Sequence, residues 1–181
     1  MLEIEVAPAE MFDEETNEFV YTKGCTLQLE HSLISISKWE SKWKKPFMVK
    51  KPEKTSDELL DYIRCMTINK KVSPDVYLGL TAKQLNEILA YIEDSMTATT
   101  FNDAGGQAPS REIITSELLY YYMLKNNIPL ECEKWHINRL ITLVRIFSIK
   151  DAPQRKMSKG EIMARNRELN EQRRKMHNTK G

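Results

Sequence analysis

EFVYTKGCTLQLEHSLISISKWESKWKKPF, residues 18–47, contains the change of pattern that decides the fold. Its first part, 18–29, is rich in β-branched and aromatic residues and holds Gly24, which marks a bulge or turn within a β element. From His31 the character changes. Trp39 and Trp43 stand four apart, on one side of a helix. Phe47 would follow one turn later, but Pro46 interrupts, so the spacing predicts a helix over about 34–45.

Reading outward, residues 2–6 (LEIEV) alternate apolar and acidic, the period of a half-buried strand. With a polar turn at Asp13 to Asn17, they complete a small antiparallel β element over 2–30. On the other side, 48–55 is a polar loop containing Pro52. Thr55 or Ser56 caps a helix whose first turn carries Asp57 and Glu58. Thr81 caps another, with Leu85, Ile88, Leu89 and Ile92 at helical spacing. Residues 97–110 form a loop, and EIITSELLYYYMLKNN (112–127) a strongly apolar helix. Pro129 ends that helix or opens the next, and 131–149 reads as one core helix. Past a linker with Pro153 and Gly160, residues 158–178 are helix-permissive but poor in large apolar residues. Ile162, Leu169 and Met176 lie seven apart, a single narrow seam. Such a segment is expected to be mobile until a partner supplies the other face. The expected fold is mainly α: an acidic β-rich element at 1–30, a helical domain at 31–150, and a basic helical or flexible arm at 151–181.

The composition agrees with a globular body. Of 181 residues, 41% are hydrophobic and 29% charged, outside the range of a disordered chain. The apolar runs, such as Leu140 to Val144, are too short to cross a membrane as a helix. The acidic start does not resemble a secretory signal, and Cys25, Cys65 and Cys132 are too few and too scattered for a disulfide framework. A reducing cytoplasm is the expected setting. The charge is uneven. Residues 1–30 hold eight acids and one base, whereas 154–181 hold nine bases and three acids. The tail suits an acidic partner or nucleic acid, or is simply a solvated helix.

Catalytic signatures are sparse. Gly105-Gly106 lacks the lysine and spacing of a phosphate loop, and there is no G-x-S-x-G. Cys132 and His136 are four apart, and Cys25 with His31 is the obvious second pair for a zinc site. The competing reading is a small buried thiol and a histidine hydrogen-bonded near a helix start. Asp13, Glu14 and Glu15 lie in a turn, with nothing to separate their pKa values. No enzyme activity and no cofactor are expected. The aromatic residues carry more information. Trp39, Trp43, Phe47 and Trp135 fit either a core or an interface groove. Tyr120, Tyr121 and Tyr122 cannot all face inward. Trp39, Trp43, Phe47, Tyr121, Ile162, Leu169 and Met176 are the candidate partner-binding residues, and nine methionines would suit an adaptable surface or a core.

EHSLISISKWESKWKKPF at 30–47 resembles a segment of the tail-assembly chaperones of long-tailed bacteriophages. MTATTFND at 96–103, REIITSELLYYYMLKNNIPLECEKWHINRLITLVRI at 111–146 and RNRELNEQRRKMHNTKG at 165–181 agree in character. The resemblance implies a small, largely helical protein of the host cytoplasm. Its partner would be the long helical tape measure protein, bound before the tail tube polymerises around it. Tail tube subunits and a second copy of the chain are further candidate partners; no membrane is implied. The acidic head of 2–30 matches least and leaves room for a structural virion subunit. A nucleic-acid-binding protein acting through the arm is the remaining alternative, disfavoured by a body that is not strongly basic.

Overall fold

The structure is a computed structural model that describes residues 1–13, 18–49, 51–101, 113–151 and 159–177. It is mainly α with a small N-terminal β element. β1 (Leu2–Val6) pairs antiparallel with β4 (Cys25–Leu29), and β2 (Ala9–Asp13) with β3 (Glu18–Thr22). The two ladders are nested, with a break at residues 7–8 and 23–24. Gly24 is required there: a Cβ on it would lie 2.8 Å from the Pro8 ring. The alternation in LEIEV is realised, with Ile4 and Val6 buried opposite Leu27 and Cys25 and the intervening glutamates exposed. The turn expected around 14–17 lies outside the described residues.

The helices are α1 (Leu33–Trp43), α2 (Ser56–Met66), α3 (Ala82–Glu93), α4 (Ser116–Lys125), α5 (Ile137–Lys150) and α6 (Lys159–His177). Single 3-10 segments occupy Pro74–Gly79 and Leu130–Lys134. Thr55 and Thr81 each close a capping box, with Glu58 and Gln84 respectively. The same Gln84 side chain donates to the Glu5 carbonyl at 2.6 Å and so ties α3 to β1. α1 starts one residue earlier than the expected 34, because Ser32 and Ser35 form its capping box. It ends at Lys44, which adopts the left-handed conformation with φ 55°. No helix among the described residues is long and apolar enough to cross a membrane.

Two expectations are corrected. The helix expected over 112–127 spans only Ser116–Lys125, because Thr115 caps it and accepts the Leu118 N–H. Residues 131–149 are not a single helix. Pro129 opens a 3-10 turn, and the chain then extends at Trp135 and His136 before α5 begins. The reason is tertiary: His136 bridges to Ser32, and the Ile137 N–H donates to the His31 carbonyl at 2.7 Å.

Residues 1–147 form one compact unit and 148–181 another. Ile4, Val6, Leu27 and Leu29 from the strands share a core with Leu33, Ile36, Trp39, Tyr62, Ile88, Met123 and Leu140 from the helices. The β element therefore belongs to the helical body rather than standing apart from it.

Three acids bind the helices of this unit together. Glu40 is buried, and its carboxylate accepts the Phe47 N–H at 2.7 Å and the Ser116 N–H at 2.8 Å. The second bond satisfies an orphan donor at the start of α4, where the helix dipole also favours a negative charge. Glu58 and Asp61 on α2 pair with Lys45, just past α1, and Lys42 on α1. Glu40→Ala should lower unfolding free energy by about 3 to 5 kcal/mol, because it removes two charge-assisted hydrogen bonds and orphans two buried N–H groups. Glu40→Gln, which keeps an acceptor oxygen, should lose less. Urea unfolding curves of both variants check the order.

Candidate binding surfaces and the buried polar network

The structure divides the candidate partner-binding residues into three classes, enclosed, half-buried and exposed. Trp39 and Phe47 are enclosed, at 1% and 8% exposure. They are core residues, not surface anchors. Trp39 donates its indole N–H to the Glu58 carbonyl at 2.9 Å and meets Phe47 edge-on, with ring centroids 5.2 Å apart. Phe47 in turn stacks on Tyr62. The helix C-terminus at Lys44 turns the chain so that Phe47 folds back under α1. Trp43 is half-buried; its indole N–H reaches Asp61 at 2.8 Å, and Lys42 and Lys45 sit near its face.

The remaining candidates are exposed. Tyr121 is the outward member of the tyrosine triplet, at 54%, beside the exposed Leu124. Tyr120 instead donates to Glu133 at 2.9 Å, and burial with that carboxylate pushes its phenol up to about 12. On α6, Ile162, Leu169 and Met176 are 45%, 39% and 77% exposed. Every residue from 162 to 177 is exposed, so the seam is uncovered along the helix.

Behind the surface lies a buried polar cluster that the sequence does not announce. His31 and His136 meet edge to face, with centroids 5.0 Å apart. His31 Nδ1 bonds the hydroxyl of Tyr62, which also lies 3.2 Å from the Ser35 hydroxyl. His136 Nε2 bonds the Tyr91 carbonyl at 3.0 Å, and its Nδ1 accepts from the Asn138 N–H at 3.4 Å. The Tyr91 hydroxyl donates to Glu30 at 2.7 Å, and the other Glu30 oxygen pairs with the chain's N-terminal ammonium at 3.0 Å. Burial, helped by the neighbouring His136, pushes His31 down to about 3. Burial also lowers His136, against the Tyr91 carbonyl bond that raises it, and holds the Tyr62 phenol well above its ordinary value. Burial thus favours the neutral forms of His31, His136 and Tyr62, and the cluster joins three chain segments, around residue 31, on α2 and at the start of α5.

Cys132 is buried in the core and His136 is bonded at the start of α5. Among the described residues, no three His, Cys, Asp or Glu side chains gather as a metal site. Asp13 is the last residue of β2, and Glu14 and Glu15 lie outside the described residues.

The two histidines set a pH dependence. Both folded pKa values lie below the unfolded value of 6.5, that of His31 at about 3, so below pH 6.5 the unfolded chain binds more protons. Stability is therefore full above the unfolded value and falls as pH drops through that window, by up to about 1.4 kcal/mol per pH unit for His31, with His136 acting in the same direction. Glu58, Asp61 and Glu117, all held below the usual carboxylate range, extend the loss to lower pH. Urea midpoints should fall from pH 7.5 to pH 5, and the fall should shrink in His31→Asn. Comparison with protein-family models, with curated proteins and with solved structures found no match.

Proposed function

We propose that this chain is a tail-assembly chaperone that holds the tape measure protein in the host cytoplasm during phage tail morphogenesis. The resemblance over residues 30–181 motivates the reading. The observation that carries it is α6, a 19-residue helix whose three seam residues are all exposed, at 39% to 77%. A lone helix of this composition gains little from its own side chains, and its apolar seam is completed by a second helix. A long helical client supplies such a face along its length. The basic character of the arm adds attraction for acidic helices.

Co-expression with tape measure fragments tests the proposal. The full chain should keep the fragment soluble and co-purify with it. Ile162→Asp and Leu169→Asp change exposed positions, so the protein should stay folded. Each should weaken client binding about ten-fold or more, the cost of losing one buried aliphatic side chain. A fragment that precipitates regardless of the chaperone rejects the reading. Mass spectrometry adds a second check: a chaperone is abundant in infected-cell lysate and missing from particles, whereas a structural subunit is present in fixed copy number.

A further inference from the structure

The ribbon of β1 and β4 is closed along one edge and open along the other. On the outer edge of β4, the Gln28 N–H donates to Asn69 Oδ1 at 2.6 Å and the Gln28 carbonyl accepts the Ile68 N–H at 2.8 Å. The Thr26 carbonyl accepts from Asn69 Nδ2 at 3.1 Å. Antiparallel partners alternate between pairs that bond each other and pairs whose backbone groups point away. Gln28 and Thr26 point away from β1, so their partners Glu3 and Glu5 point away from β4. The N–H and C=O groups of Glu3 and Glu5 therefore lie on the outer edge of β1, where no further strand pairs among the described residues. Of these four groups only the Glu5 carbonyl has a partner among the described residues, the Gln84 side-chain amide at 2.6 Å.

That edge borders a groove of about 290 Å³, whose other wall is the first two turns of α3 at Lys83, Gln84 and Glu87. A strand edge beside a helix suits strand addition, in which main-chain bonds give affinity and alternate side chains give specificity. The Gln84 carboxamide is chemically a peptide group, and it already places an N–H where that of a further strand would sit. The side chains select the occupant. Glu3 and Glu5 are both exposed, Glu87 adds a third carboxylate to the groove, and Lys83 is the one base that lines it. Glu3 accepts a bond from Gln28 Nε2 at 3.1 Å, which leaves its charge in place. A second copy of β1 would bring the same two acids against them, and like charges directly opposite are destabilising. A segment with Lys or Arg at alternate positions sets a base opposite each acid.

We propose that β1 receives an extended basic segment of a partner protein as a third, antiparallel strand. One basic residue exchanges two backbone bonds with Glu3. The next lies opposite Glu5, and its N–H takes the place of the Gln84 amide. The residue between them turns to the opposite face of the sheet. The proposal goes beyond the client reading and does not use α6.

Amide hydrogen exchange read by NMR on the full chain tests it, with an acetylated, amidated Lys-Val-Lys-Val-Lys peptide as the probe. In the free protein the Ile4 N–H, bonded to β4, should be protected, and the Glu3 and Glu5 N–H groups should exchange freely. Peptide at about ten times its dissociation constant should slow Glu3 and Glu5 about ten-fold and leave Ile4 unchanged. N-methylation of the lysine amides, which face β1, should abolish binding, whereas N-methylation of the valine amides, which face away, should not. Glu5→Lys with Glu87→Lys, both at exposed positions, keeps the backbone edge and reverses the charge of the groove. That variant should lose the lysine peptide and take up Glu-Val-Glu-Val-Glu. Near-UV circular dichroism verifies its folding, and the methylation comparison decides on the wild type alone if it unfolds. No slowing of Glu3 and Glu5 at about 5 mM peptide overturns the proposal. So does binding that responds alike to both methylations, which is charge attraction without strand addition, or a folded charge-reversed variant that still prefers lysine. Slowing that grows with protein concentration in the absence of peptide makes a second copy the occupant and equally overturns it.

Discussion

The rest of the body hangs on the pairing of one short stretch, Gln28 to Ser32. On one side, Leu29 and Gln28 pair with β1. On the other, the Glu30 N–H reaches the Met66 carbonyl at 3.0 Å and the Ile68 N–H reaches the Gln28 carbonyl at 2.8 Å. The His31 carbonyl and Ser32 then take up residues 136–137. Buried backbone groups have to be paired, so these five residues collect segments from the N-terminus, the end of α2 and the start of α5. His31, Ser32 and Leu29 are all buried there.

The polar groups inside this unit follow from that convergence. Where three segments meet, His31, His136, Tyr62 and Tyr91 satisfy one another instead of water. Glu40 does the same for the turn after α1 and for the start of α4. Two of the tightest joints are thus made by polar side chains with complete partners, while Trp39, Phe47 and Tyr62 fill the space between. The lysines around α1 pair with α2 where acids face them, at Asp61 and Glu58, and the excess of positive charge is displaced to the loop 48–55.

This arrangement separates a rigid body from the surfaces available to partners. Trp39 and Phe47 serve packing. The arm is the opposite case: it has the periodicity of a helix, and its residues 162–177 are all exposed.

Local features were legible in the sequence alone. The alternation of LEIEV, the caps at Thr55 and Thr81, the interruption at Gly24, the end of α1 before Pro46 and the seven-residue seam of α6 each depend on residues within a few positions of one another. Two-residue and helical periods, together with capping, encode them directly. The tertiary structure decided what required distant partners. It split 130–150 at His136, because Ser32 and His31 claim that backbone, and it turned Trp39 and Phe47 inward, because Glu40 and Tyr62 wait there. It also made the histidine pair a buried neutral cluster. Burial belongs to neighbours about a hundred residues away in the chain, and no local pattern around residue 31 records that residue 136 will meet it.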